Sequence, residues 1–355
     1  MNKVVLKAED LDGFLTGDDK AAIAGMDGIY REVLASFSLY SAARMEKERD
    51  KEKDNLIRLY NTMGKMMQGI CSEEPGIQVY SFRTPHETHA EISRIIAKLR
   101  DVRTDNDEFI YYIQRAYEKL FYFAWGGMNS SEKNYLMIKT PVTIPVQNYA
   151  VHKITNIDNK IENAVMCILL RGALLPAMIM SKEIEEYSST AYVTPFALFR
   201  IKRDETKHEN DMEYILDLDR SYFDPEVLNG RDLIFADPMN ATGGSLVTVV
   251  KYLLSQGVKP RSVHFFNVIS ALKGALRVVR ALDNCTVWTC WMDPVLNEAA
   301  YILPGLGDAG DRINGTDSVD RSRNIMQLIA DYGSNIAGLY RSQLREIEDT
   351  VLGRS

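Results

Sequence analysis

The chain has 355 residues, 46% apolar and 26% charged, an ordinary globular make-up with room for one large core and a smaller appended element. A net charge of −7 leaves no global footprint for nucleic acid or an anionic membrane, although a local basic site stays open. No run of eighteen apolar residues exists, which argues against a transmembrane helix, and the opening Met1 to Asp10 turns acidic too soon for a signal peptide.

In chain order, residues 1–28 are mixed and carry no clear assignment. From Ile29 to Gln68 the pattern is helical: Leu34, Phe37, Tyr40 and Ala43, then Leu56, Leu59, Tyr60 and Met63, recur at near-helical spacing. Met45 to Asp54 is a dense mixed-charge run that reads as a solvated helix face with i,i+4 ion pairs. A partner-binding or dimer-forming helix is the sharper alternative. Thr88–Arg100 and Asp105–Phe123 read as amphipathic helices, with Asp105 as a cap. Strands are expected at Val142–Val151, Ala164–Leu170, Ala191–Leu198, Leu233–Ala236, Val263–Ile269 and Cys285–Trp291. Helical stretches near 172–184, 245–256 and 271–282 alternate with several of them. That alternation predicts an α/β fold, a parallel sheet covered on both faces. Glu205–Asp224 reads as a loop or projecting hairpin. Val319–Glu348 carries a helical stripe through Ile325, Leu328, Ile329, Ile336, Leu339 and Leu344. Such stripes must be buried somewhere, because helices draw most of their stability from packing.

Cys167 and Cys290 lie in apolar strand-like stretches, where a buried free thiol is the default. No cysteine has metal-site spacing, and a reducing cytoplasm fits. None of the five histidines lies in a motif, and none is assigned a catalytic role; His264 reads as a satisfied core residue.

Residues 233–245, Leu-Ile-Phe-Ala-Asp-Pro-Met-Asn-Ala-Thr-Gly-Gly-Ser, carry the main chemical signal. Four apolar residues run into Asp237 at a strand end, where open α/β sheets bind ligands. Gly243 and Gly244 let the backbone approach a ligand, Thr242 and Ser245 add hydroxyls, and the following helix N-terminus favours an anion. An acid beside a phosphate cradle suits a sugar phosphate. No Lys follows the glycines and the Gly-x-Gly-x-x-Gly spacing is absent, which excludes a Walker loop and a dinucleotide fingerprint. An ordinary capped strand-to-helix turn is the bland alternative. A second block, residues 301–316, has glycines at 305, 307, 310 and 315 and is expected to form neither helix nor regular strand. Its exposed backbone groups can pair with the edge of a planar heterocycle, and Asp308 and Asp311 can hold water or a metal ion.

Together these blocks resemble the uracil phosphoribosyltransferase family. Asp237–Ser245 is similar to that family's loop for phosphoribosyl pyrophosphate (PRPP), and Tyr301–Asp311 to its uracil-binding segment. Between them, Asp293 to Glu298 matches Asp-x-x-Leu-Asn-Glu. Ile168–Ala173 resembles the pyrophosphate loop Ile-Leu-Arg-Ala-Gly, except that Gly172 follows Arg171 directly. Leu198-Phe199-Arg200 resembles Met-Tyr-Arg, but Ile-Lys-Arg-Asp-Glu-Thr follows, so Arg203 competes with Arg200 for one role.

The resemblance implies a type I phosphoribosyltransferase fold over residues 78–317, a Rossmann-like parallel sheet with helices on both faces. Helical extensions would occupy residues 1–77 and 318–355. It implies transfer of the phosphoribosyl group of PRPP to uracil, or a related nucleobase, giving a nucleoside 5′-monophosphate and pyrophosphate, as in pyrimidine salvage. Asp237 would hold ribose hydroxyls, Ala241, Thr242, Gly243, Gly244 and Ser245 the 5′-phosphate, with Asn240 also binding substrate, and Arg171 with Arg200 or Arg203 the pyrophosphate. Ile302 and Gly307 would read the base edge through their backbone, with Tyr301 and Ala309 as pocket walls. Mg²⁺ would act with Asp308 holding its water. A homodimer or higher homo-oligomer is expected, with the terminal helices available to a protein partner. A second reading is a non-catalytic or regulatory PRPP-binding subunit, favoured by the altered loop at Arg171 and by the added helices.

Overall fold

The computed structural model describes residues 2–126, 133–315 and 327. Lys3–Lys7 (β1) leads into Ala8–Asp12 (α1) and then Gly17–Ala42 (α2). Residues 1–28 thus hold a strand, a short helix and a helix start. The start of α2 is a capping box: the Thr16 hydroxyl accepts from Asp19 N at 3.1 Å, and the Asp19 carboxylate accepts from Thr16 N at 2.9 Å. Glu46–Glu73 (α3) packs against α2 through Met26, Tyr30 and Val33 on one side and Leu59, Met63 and Met67 on the other. No glycine or proline marks the break at residues 43–45, so the periodicity reads as one helix where there are two. The mixed-charge run at the start of α3 is exposed, as expected of a solvated face.

Ile77–Val79 (β2) and Tyr80–Arg83 (α4) precede His86–Arg100 (α5) and Asn106–Ala124 (α6), the latter capped by Asp105, which accepts from Glu108 N at 2.9 Å. Lys133–Lys139 (β3) and Tyr149–Thr155 (β4) form a separate two-stranded hairpin. The strand expected at Val142–Val151 is therefore corrected: Pro141 and Pro145 lack the N–H a ladder needs, and pairing resumes only at Tyr149. Asp158–Ile161 (α7), Ala164–Leu170 (β5) and Leu174–Tyr187 (α8) follow. The next strand, Phe196–Arg203 (β6), starts later than expected, after Pro195, and runs on through Lys202 and Arg203 because Glu213–Tyr222 (β7) pairs with it antiparallel. The second half of the loop or hairpin expected over 205–224 is thus a sheet strand, with Tyr214, Leu216 and Leu218 on its inner face.

Pro225–Leu228 (α9), Asp232–Ala236 (β8), Met239–Asn240 (β9) and Gly244–Ser255 (α10) carry the chain past the first motif. Ser262–Ala271 (β10), Leu272–Ala281 (α11) and Cys285–Asp293 (β11) complete the alternation. Val295–Leu296 (β12) pairs with Ile302–Leu303 (β13), and Ala309–Asn314 is a short helix (α12). The expectation of neither helix nor strand across 301–316 is therefore corrected. Asp308 caps α12 by accepting from Asp311 N at 2.9 Å, and Arg312 ties it back to the Leu306 carbonyl at 2.9 Å. Thr316 and the helical stripe expected over 318–355 lie outside the described residues.

Among the described residues nine strands make the central sheet, in the order β1-β7-β6-β5-β8-β10-β11-β2, with β9 beside β10. The run from β6 to β2 is parallel; β7 runs against it, pairing antiparallel with β6 on one side and with β1 on the other. β5 and β8 are buried along their whole length, as strands covered on both faces must be. Helices α6 and α8 pack together against β10 and β5, and α10 and α11 against the remainder. From β5 the chain moves one way to β6 and then the other way to β8. The order reverses between β5 and β8, and a crevice at their carboxyl ends is the general ligand position of such sheets.

Candidate active site

That crevice holds both sequence motifs. Arg171 directly follows β5 and Asp237 directly follows β8, so two residues far apart in sequence face one cavity of about 400 Å³. Its lining includes Arg171, Arg200, Arg203, Asp237, every residue from Asn240 to Ser245, and Asp308. Lys202, Glu205, Gly172 and Gly310 also line it and were missed. Lys202 could have been found: it lies two residues past Arg200, on the same face of a strand.

The phosphate loop needs its glycines for two different reasons. Gly243 has φ +75°, the left-handed region that side chains rarely enter. Gly244 meets the ring of the buried Tyr214: a Cβ there would lie 2.1 Å from Tyr214 Cζ. Gly244 opens α10, which presents its free N–H groups to the cavity. Thr242 is buried and Ser245 partly so, and both remain in the lining. Asn240 is buried, and its Nδ2 donates to Ser270 Oγ at 3.0 Å, which fixes the loop's first turn.

Asp237 is partly buried, and its Oδ1 accepts from Met239 N at 3.2 Å. Burial pushes its carboxyl up to about 7; the Met239 hydrogen bond and Arg203 oppose this, while the nearby Asp308 charge adds to it. Two carboxylates facing one cavity, the charge of Asp308 disfavouring ionisation of Asp237, match a site for a divalent cation shared with substrate oxygens. No cluster of three or more metal-ligating side chains occurs among the described residues, so substrate and water would complete such a coordination shell.

The cationic wall is less open than the sequence implied. Arg171 makes an ion pair with Asp311, and its Nη1 donates to the Gly315 carbonyl at 2.9 Å. Arg203 donates to the Ala300 carbonyl at 3.2 Å and lies 5.8 Å from the Tyr301 ring centroid. Arg203 thus touches the second motif, whereas Arg200 faces the cavity from the strand. Tyr301, Ile302, Gly307 and Ala309 are outside the cavity lining, on the segment that joins it at Asp308. Tyr301 is exposed, while Ile302 and Ala309 are buried. Asn297 Oδ1 accepts from Ala299 N at 3.1 Å and Tyr301 N at 2.9 Å, and Gly305 N donates to the buried Asp293 at 3.0 Å. His264 accepts from Trp288 Nε1 at 3.2 Å, the satisfied core residue expected. All four cysteines are buried free thiols.

An acid at the switch point, a glycine cradle at a helix N-terminus and a cationic wall define an α/β enzyme of the phosphoribosyltransferase class. The family model described as uracil phosphoribosyltransferase matches residues 86–316. The uracil phosphoribosyltransferase of Dictyoglomus thermophilum is 30% identical over 228 residues, covering 64% of this chain and 97% of that protein. Those of Dictyoglomus turgidum and Porphyromonas gingivalis are each 29% identical, over 228 and 231 residues, again covering 64% of this chain and 97% and 94% of those proteins. The chain belongs to the uracil phosphoribosyltransferase family.

Proposed function

We propose that this protein transfers the phosphoribosyl group of PRPP to uracil, or a closely related pyrimidine, releasing pyrophosphate and forming UMP. The observation that carries this reading is the meeting of Asp237 and the 240–245 cradle with Arg171, Arg200 and Arg203 around one cavity. The sugar C1 gains oxocarbenium character as pyrophosphate departs, so positioning and charge stabilisation outweigh a strong base. Asp237 holds the ribose hydroxyls and favours the developing positive charge. The N–H groups and hydroxyls of Ala241–Ser245 anchor the 5′-phosphate. Arg200 and Lys202 receive pyrophosphate, joined by Arg171 when it leaves Asp311. Backbone groups of Ile302 and Gly307 read the base edge, with Tyr301 and Ala309 beside it. Mg²⁺, when bound, neutralises pyrophosphate oxygens; Asp308 would hold it through a water. Pyrophosphate release with PRPP, Mg²⁺ and a panel of bases is the test. Uracil is expected as the best acceptor. A purine as best acceptor would overturn the base assignment, and no turnover with any base would support the binding-subunit reading.

The Asp237 carboxyl predicts a pH dependence. Its value of about 7 lies above the ordinary 3.8. Its contribution to stability is therefore full below pH 3.8 and is lost as pH rises through about 7. Ligand-free protein should lose thermal stability across that window, and Asp237→Asn should flatten that part of the curve. PRPP–Mg²⁺ needs the ionised form, so binding near pH 6 should release more protons in the parent than in Asp237→Asn. Calorimetry in buffers of different ionisation enthalpy measures the difference; equal proton release would refute it.

A homodimer is the assembly we favour, because the β3–β4 hairpin is separate from the central sheet and one of its faces exposes Tyr135, Met137, Tyr149 and Val151 interleaved with Lys133, Lys139 and Lys153. Tyr135, Met137, Tyr149 and Val151 are 67%, 70%, 55% and 60% exposed on that face. A lone two-stranded hairpin is marginal in water, and a second copy of the chain would cover it. Met137 and Val151 are directly paired across the hairpin. Changing both to Asp should halve the mass measured by sedimentation, and an unchanged mass rejects this interface. No helix among the described residues is long and apolar enough to cross a membrane. The buried free thiols fit a cytoplasmic location.

A further inference from the structure

Asp12, at the end of α1, lies well before the family match that begins at residue 86, yet it enters a charge cluster beneath the phosphate loop. Asp12 Oδ1 accepts from Arg277 Nε at 2.8 Å and lies 2.7 Å from its Nη2. Arg277 is completely buried, and its Nη1 is 2.8 Å from Glu209 Oε1. Lys273 Nζ is 2.7 Å from Glu209 Oε2 and 3.8 Å from Asp12 Oδ2. Two acids and two bases therefore balance. Taking one acid away would leave a buried guanidinium underpaired, which protein structures tolerate poorly.

The position of the cluster gives it a second consequence. Lys273 and Arg277 flank Gly274 on α11, and Gly274 lies against the phosphate loop. A Cβ at Gly274 would lie 2.4 Å from the Ala241 carbonyl oxygen, and one at Gly243 would lie 2.9 Å from the Gly274 carbonyl oxygen. No slack separates α11 from residues 241–243, so a tilt of the helix moves the cradle. Glu209 works at the other end: its N–H donates to the Glu298 carbonyl at 2.7 Å, joining the 204–212 loop to the turn before the base segment.

We infer that the Asp12–Arg277–Glu209–Lys273 cluster seats α11 beneath the 5′-phosphate loop, making Asp12 a positioning residue for PRPP supplied by the N-terminal segment. None of the four lines the PRPP cavity; they act through the Gly274–Ala241 contact. The inference rests on the PRPP reading of that loop.

The test compares the full-length parent with Asp12→Asn, which keeps size and removes charge, and Asp12→Glu, which restores charge. Steady-state kinetics with PRPP and uracil and a melting curve are recorded for each. The KM for PRPP should rise about tenfold in Asp12→Asn, since small displacements remote from the chemistry act on that scale. The KM for uracil and kcat should change little, and Asp12→Glu should recover most of the PRPP affinity. A merely structural role would lower the melting temperature and the active fraction, hence apparent kcat, and leave the KM for PRPP in place. That result, with a parent that saturates with PRPP, overturns this inference alone. A parent that binds no PRPP overturns the loop assignment and this inference with it.

Discussion

Replacing Asp237 by Asn is expected to weaken PRPP binding or turnover by roughly tenfold or more, the scale of one lost charge-assisted hydrogen bond. Asn preserves the side chain's shape and its ability to accept from Met239 N, so the loop should stay in place. What disappears is the negative charge that faces the ribose and the developing cation. The variant should also be the more stable protein above neutral pH, because it no longer carries a carboxylate that burial and Asp308 disfavour. Weaker PRPP binding in a more stable protein separates a functional loss from a folding defect. Calorimetric titration giving equal PRPP affinity for parent and variant would falsify the role given to Asp237.

A larger effect is expected from Gly244→Ala. The new methyl would lie 2.1 Å from an aromatic carbon of Tyr214, a residue with no exposed surface on a central strand. Overpacking of a filled core costs about 1–3 kcal/mol. The ring is fully buried, so the strain falls on the loop. Displacing the Thr242 and Ser245 hydroxyls and the α10 N–H groups should cost about a hundredfold in PRPP affinity. The double variant Gly244→Ala/Tyr214→Leu opens space at the clash and should regain part of the loss. If Gly244→Ala alone binds PRPP as tightly as the parent, the loop does not hold the 5′-phosphate in the way described.

The Arg171–Asp311 ion pair bears on how the crevice loads. The arginine expected to meet pyrophosphate is held by the segment expected to meet the base. Asp311→Asn would remove the ion pair and leave the Gly315 hydrogen bond, so the guanidinium is held less strongly and the pyrophosphate inhibition constant should fall several-fold, the scale of one charge-assisted contact. Product inhibition measured against PRPP reads this directly, and no change would mean that Arg171 does not reach pyrophosphate.

Much of the site was legible because its chemistry is local. Asp237, Gly243, Gly244 and Ser245 lie within nine residues, and an apolar run ending in an acid before a Gly-Gly-Ser turn encodes strand, cradle and helix start without help from elsewhere. The buried strands β5 and β8 were legible for the same reason: a continuous apolar run flanked by turn residues has few other uses. The Asp105 cap and the solvated face of α3 also follow from spacing alone.

What only the tertiary structure decided was everything set by long-range pairing. The strand β7 is charged on one face and reads as loop until its inner face meets β6 and β1. The start of β6 and the pairing of β4 depend on where prolines stop a ladder that the partner strand could otherwise extend. The engagement of Arg171 by Asp311, the approach of Arg203 to Ala300 and the placing of Tyr214 under Gly244 join residues 30 to 140 positions apart. Most distant is Asp12, 265 positions from Arg277, in a stretch whose composition gives no reason to look there. An isolated acid or arginine acquires meaning only from the charge it is buried against, and that pairing is a property of the closed sheet rather than of any segment.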